Sequence, residues 1–91
     1  MIIGHRGGRR WAPENTLAAF EKCLDPDTRL DGIELDVQRC ASGELVVIHD
    51  DDVGRTTNGV GQVRDISLDE LKRLSAGLWF DRAFADQRIP T

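Results

Sequence analysis

Apolar and polar positions fall in short blocks along these 91 residues, and each block predicts a short element. Residues 2–5 begin with Ile2 and Ile3 and run into Gly7-Gly8, the pattern of a brief buried strand. Pro13 bars a helix just ahead of it, because the residue before a proline avoids the α region. Residues 16–24 then carry Leu17, Phe20 and Leu24 at helical spacing, with Asn15 or Thr16 as N-cap and Pro26 as the stop. Residues 32–39 change to a period of two, Ile33-Glu34-Leu35-Asp36-Val37-Gln38, which predicts a single strand. Residues 45–49 are rich in β-branched side chains and predict another.

Only Ala41-Ser42-Gly43-Glu44 separates those two strands. A parallel crossover needs a dozen or more residues, so the connection is an antiparallel hairpin. A two-residue loop at Ser42-Gly43 would pair 38 with 47 and 36 with 49, setting Asp36 directly across from His49. Residues 50–65 are polar, and Asn58-Gly59 marks a turn. Ser67 with Glu70 three residues on forms a capping box, opening a helix to about Leu74 with Gly77 placed to stop it. Residues 78–91 read as loop, and the chain ends at Ile89-Pro90-Thr91 as if cut off. Trp11, Trp79 and Phe80 are expected in packing. The first two strands, joined through a helix, make a βαβ unit with parallel strands. The fold class is therefore α/β: strand, helix, β-hairpin, loop, helix, in one domain over residues 1–91. A parallel sheet of this kind needs cover on both faces or closure into a barrel.

Charge adds an exclusion. The net charge is −4, which argues against a dedicated nucleic-acid binder, although Arg6, Arg9 and Arg10 cluster and could form a local anion site. Cys23 and Cys40 match neither a zinc pattern nor C-x-x-C, and are expected to be reduced and buried in a reducing compartment. The N-terminus lacks a basic stretch followed by an apolar one, and no apolar run is long enough to span a membrane. Both absences favour a cytoplasmic location.

Candidate chemistry gathers in four places. Glu34 and Asp36 are two apart on a predicted strand and share a face. A solvated acidic face is the plain reading, and a paired-carboxylate site for Ca2+ or Mg2+ is the functional one. His5 and His49 are the two histidines of the chain, and each ends a predicted strand. Ligands of α/β sheets bind beyond the carboxyl ends of strands. Arg6 precedes Gly7-Gly8, where a guanidinium fork can meet a phosphate. Glu14 is read as favouring the dipole of the helix that follows, and Asn15 as a helix cap.

Five segments in order carry a resemblance. His5-Arg6-Gly7, Pro13-Glu14-Asn15-Thr16, Gly32-Ile33-Glu34-Leu35-Asp36-Val37, Val46-Val47-Ile48-His49-Asp50 and Arg55-Thr56-Thr57-Asn58-Gly59-Val60-Gly61 resemble the opening motifs of glycerophosphodiester phosphodiesterases. Ile89-Pro90-Thr91 resembles the start of that family's next segment, so the likeness covers essentially the whole chain. The resemblance implies the N-terminal part of a (β/α)8 TIM barrel with its site at the C-terminal face. It implies metal-dependent hydrolysis of a small glycerophosphodiester to glycerol 3-phosphate and an alcohol. His5 and His49 match the catalytic acid–base pair, Glu34 and Asp36 two ligands of a divalent metal ion, and Arg6 a phosphate-binding arginine. The family that the chain resembles takes a further metal-binding glutamate and a lysine from later strands, so these 91 residues alone are expected to be weakly active or inactive. The sequence leaves two other readings open: a phospholipase D-like hydrolase of lysophospholipids on the same scaffold, or a non-catalytic metal- or phosphate-binding module.

Overall fold

The computed structural model describes residues 2–91. Strand β1, Ile3–His5, lies parallel to β2, Gly32–Glu34, and helix α1, Leu17–Leu24, makes the crossover between them. The register pairs Ile3 with Gly32, Gly4 with Ile33 and His5 with Glu34. Gly4 is where the helix comes down on the strand: a Cβ there would stand 2.7 Å from the Cys23 sulfur. Helix α1 starts at Leu17 because the Thr16 hydroxyl, as N-cap, accepts from the Ala19 N–H. It buries Ala19 and Cys23, while Leu17 and Leu24 are 60% and 75% exposed. The apolar stripe expected from Leu17 and Leu24 is thus not the face that packs.

The single strand expected over 32–39 is two strands. After β2 the chain leaves β1, and β3, Val37–Arg39, pairs instead with β4, Leu45–Val47, in a separate antiparallel sheet. A period-two pattern records which residues share a face, but not which strand lies alongside, so it continues unchanged across the switch.

The hairpin register also differs from the expected one. Val37 pairs with Val47, Gln38 with Val46 and Arg39 with Leu45. The loop is three residues long: the Gly43 N–H closes a turn onto the Cys40 carbonyl, and Gly43 itself takes φ 95°. A turn followed by a left-handed glycine is the usual three-residue hairpin solution. The added residue slips the pairing by one, so the Asp36 carbonyl accepts from Ile48 N–H at 3.0 Å and Asp36 does not face His49. A one-residue slip exchanges the two faces of a strand.

The main apolar cluster lies under this hairpin. Cys40, Val46, Ile48, Val53, Val63, Leu71, Ala76 and Ile89 are its buried members, with Ile66, Leu68 and Leu74 packed against them. Leu71 comes from α2, Leu68–Arg73, whose N-cap Ser67 accepts from Glu70 N–H. The helix stops at Arg73, before Gly77, with Leu74 as C-cap. Residues 78–91 are more ordered than a plain loop. Arg82–Phe84 forms a 3-10 turn, Ile89 is 2% exposed, and Val47 N–H donates to the Pro90 carbonyl. Trp79 packs edge to face on Phe80, and Phe80 on Phe84, while Trp11 lies over Gly8; all three expected packing residues do so at the surface, since each stays partly exposed. Both cysteines are free and buried, in line with the sequence. Among the described residues no helix is long and apolar enough to cross a membrane.

Leu71 is fully buried and Val60 is 88% exposed. Leu71→Ala should therefore cost about 2–5 kcal/mol and Val60→Ala about 0.5 kcal/mol or less, read from urea-unfolding midpoints. Equal losses would place the core elsewhere.

Candidate active site

The parallel pairing of β1 and β2 sets the first contact. His5 and Glu34 end their strands side by side, with Nε2 of His5 3.3 Å from Oε2 of Glu34. Beyond His5 the chain turns sharply: Arg6 adopts φ 55° and Asn15 φ 54°, and Asn15 N–H donates to the Arg6 carbonyl at 2.8 Å. Left-handed backbone costs a residue with a Cβ roughly 1–2 kcal/mol, with asparagine the better suited of the two. The strained pair aims both side chains at Asp36. Asn15 Nδ2 donates to Oδ2 at 3.1 Å, and Arg6 Nε lies 3.6 Å from the same oxygen.

Glu14 is the most buried carboxylate here, at 8% exposure. Arg6 donates to it through Nη1, and Arg55 grips both its oxygens, Nη1 to Oε1 at 3.0 Å and Nη2 to Oε2 at 2.9 Å. Burial alone would push the Glu14 carboxyl up, but the two guanidinium groups outweigh it and hold the carboxyl below its ordinary value. Glu14 therefore serves this ion cluster, not the helix dipole that the sequence assigned to it. Asn15 likewise does not cap α1; Thr16 does.

Arg55 continues to Asp50, Nε to Oδ2 at 2.8 Å and Nη2 to Oδ1 at 3.1 Å. Asp50 Oδ1 lies 2.7 Å from Nδ1 of His49. Arg55 first, and His49 second, hold the Asp50 carboxyl well below the usual carboxylate range, while Asp50 and Glu14 hold the Arg55 guanidinium protonated. An ionised carboxylate only accepts, so His49 donates from Nδ1 and leaves Nε2 for another partner.

The five residues singled out from sequence thus meet in two ways. His5 meets Glu34, and Arg6 meets Asp36. His49 connects to the Arg6–Asp36 pair through Asp50, Arg55 and Glu14, not across the hairpin as the sequence implied. His49 also lines one small crevice with Glu14, Asn15, Thr56 and Ile89. Sequence reasoning passed over Asp50 and Arg55 as site residues, although both stood in the motifs. Asp50 follows His49 directly, and Arg55 is a basic residue close behind the acidic run Asp50-Asp51-Asp52.

Glu34 and Asp36 offer oxygen donors of the kind a hard divalent cation prefers, and the buried Oδ1 of Asn15 has no hydrogen-bond partner. Among the described residues, however, no group of three or more His, Cys, Asp or Glu side chains is placed to hold a metal. The donor set fits part of a cation's shell, whose usual complement is about six to eight oxygens for Ca2+.

The ion cluster carries a pH dependence. Glu14, ordinarily near 4.5, and Asp50, ordinarily near 3.8, bind protons less readily folded than unfolded. Their stabilisation is complete above those values and is lost as pH falls through the depressed ones. Urea midpoints should decline as pH is lowered below about 4.5, and Glu14→Gln should flatten the decline. Identical pH profiles for the two proteins would show that Glu14 is not coupled to folding.

The profile of the glycerophosphoryl diester phosphodiesterase family matches residues 5–91. A glycerophosphodiester phosphodiesterase of Caldanaerobacter subterraneus subsp. tengcongensis is 53% identical over 91 residues, which are 100% of this chain and 37% of that protein. The crystal structure of a glycerophosphodiester phosphodiesterase from Agrobacterium tumefaciens superposes with a TM-score of 0.92 at 47% identity, covering 98% of this chain and 38% of that one. An Oleispira antarctica phosphodiesterase, solved in complex with the product sn-glycerol-3-phosphate, matches with a TM-score of 0.92 at 40% identity, over 100% of this chain and 36% of that one. The chain thus spans a little over a third of the length of these relatives. With the motifs, the paired strand ends and the family profile in agreement, this chain belongs to the glycerophosphoryl diester phosphodiesterase family.

Proposed function

We propose that the protein carrying these residues hydrolyses glycerophosphodiesters to glycerol 3-phosphate and an alcohol, on a (β/α)8 barrel of which this α/β segment is the opening part. The observation that carries the reading is the meeting of β1 and β2, which brings a histidine and a carboxylate together at the strand ends, beside the arginine-bearing turn. The product bound in the Oleispira antarctica phosphodiesterase supports the substrate class.

In this proposal His5 and His49 divide the proton transfers. One takes the proton from the attacking hydroxyl, and the other protonates the departing alkoxide. Imidazole suits both tasks because its ordinary titration lies near neutrality. His49, donating from Nδ1 to Asp50, presents Nε2 for the transfer. Arg6 sits beside His5 and contributes hydrogen-bond donors to the phosphate. Glu34 and Asp36 would hold a divalent cation, Ca2+ or Mg2+, together with ligands from outside this segment. When bound, such an ion stabilises charge on the phosphoryl oxygens.

His49→Ala in the whole protein should lower kcat for glycerophosphocholine by about 10²–10⁴-fold. Near-normal turnover would remove His49 from the reaction. Glu34→Gln should raise the metal concentration needed for half-maximal activity, and an unchanged requirement would return Glu34 to a solvated strand end. Glycerophosphocholine should be turned over in preference to lysophosphatidylcholine. The opposite preference would assign the scaffold to lipid head-group hydrolysis.

A further inference from the structure

Arg55 lies 45% exposed at its side chain, in the loop that follows His49, and would ordinarily count as a surface ion pair of little weight. Three features set it apart. Its guanidinium spans two carboxylates with four hydrogen bonds, two to Glu14 and two to Asp50. One of those carboxylates, Glu14, is buried and also gripped by Arg6, so it is a fixed post. The loop that carries Arg55 is itself braced, since Thr57 donates to the Val53 carbonyl through both its N–H and its hydroxyl, and Val53, Thr56 and Thr57 are buried.

Asp50 is in a different position. Its side-chain partners are His49 and Arg55. His49 and Asp50 follow β4 outside any regular element. Backbone structure therefore does little to fix the rotamer of Asp50, and the guanidinium fork does the fixing.

We propose that Arg55 is a positioning residue for the acid–base pair: through Asp50 it holds His49 in the Nδ1–H tautomer with Nε2 free, and through Glu14 it ties that imidazole to the turn bearing Arg6. The inference rests on the functional reading above for its kinetic consequence, but not for its structural one. Neutral imidazole has two tautomers, and a residue that must exchange a proton at Nε2 needs the other nitrogen pinned. A lysine at 55 keeps the charge but loses the planar fork that reaches two carboxylates at once. An asparagine at 50 can donate to Nδ1 as well as accept from it, so it no longer selects one tautomer.

The test uses the whole protein, with Arg55→Lys and Asp50→Asn each compared with the parent. Nitrogen-15 NMR of the His49 ring, at a pH where it is neutral, reads the tautomer, and steady-state kinetics with glycerophosphocholine reads the consequence. The parent should show protonated Nδ1, and both variants a mixture of tautomers. Each should lose about 10–100-fold in kcat with KM little changed, the scale seen when an orienting partner is removed. The double variant should be no worse than the poorer single one, because both act on the same ring. An unchanged tautomer in both variants, with activity falling only as melting temperature falls, overturns the proposal and leaves Arg55 a structural ion pair. If the tautomer shifts as expected while the parent cleaves no glycerophosphodiester, the positioning role stands and the functional reading falls.

Discussion

A carboxylate that stays ionised out of water needs charged or hydrogen-bonding partners, and Glu14 has two guanidinium groups. Much of the site is arranged around that requirement. Arg6 can reach Glu14 because the chain after β1 folds back through two left-handed residues, Arg6 and Asn15, bonded to each other. Arg55 reaches it from a separate braced loop, packed by Val53, Thr56 and Thr57. The charges on the two arginines are then shared outward, to Asp36 on one side and Asp50 on the other. Strain in the β1 turn and burial of the acid are both unfavourable taken singly. Together they hold polar groups from three distant stretches of chain in fixed relation.

Packing and chemistry are divided between different parts of the segment. The apolar cluster sits beneath the hairpin and draws on β4, α2 and the residues up to Ile89. Near the β1–β2 pair, where His5 and Glu34 meet, α1 lies on Gly4 of β1 through Cys23 and on the Gly7-Gly8 turn through Ala19. Residues between Glu34 and Val37 pass from one sheet to the other, and Asp36 lies in that passage with its carbonyl in one ladder and its carboxylate in the ion cluster. A residue at such a junction is placed by both sheets at once, which suits a group whose position matters more than its burial.

Local chemistry was legible in the sequence, and partnership at a distance was not. Thr16 and Ser67 cap helices that begin where hydroxyl residues preceding an apolar stripe or followed by a glutamate predict them. The parallel β1–β2 pairing follows from a helix-length connection, and the antiparallel hairpin from a short one. The placement of His5 beside Glu34 came with that topology. The contact between Glu14 and Arg55 bridges 41 residues, and no periodicity carries such a pairing. The break at Leu35 and Asp36 was hidden because alternation continues across it. The aromatic residues Trp79 and Phe80 pack on each other at the surface, while small Ala12, Ala19 and Ala76, which the sequence did not single out, fill buried positions.

The three-residue hairpin loop has a consequence for how this stretch tolerates change. Parity along β4 is counted from Gly43, so shortening the loop by one residue would rotate Val46 and Ile48 out of the apolar interior and turn Val47 and His49 into it. Insertions and deletions at 41–43 would therefore act on the histidine's heading without touching any charged side chain. The length of that bend thus specifies where the imidazole points, as the strand register does for the apolar side chains around it.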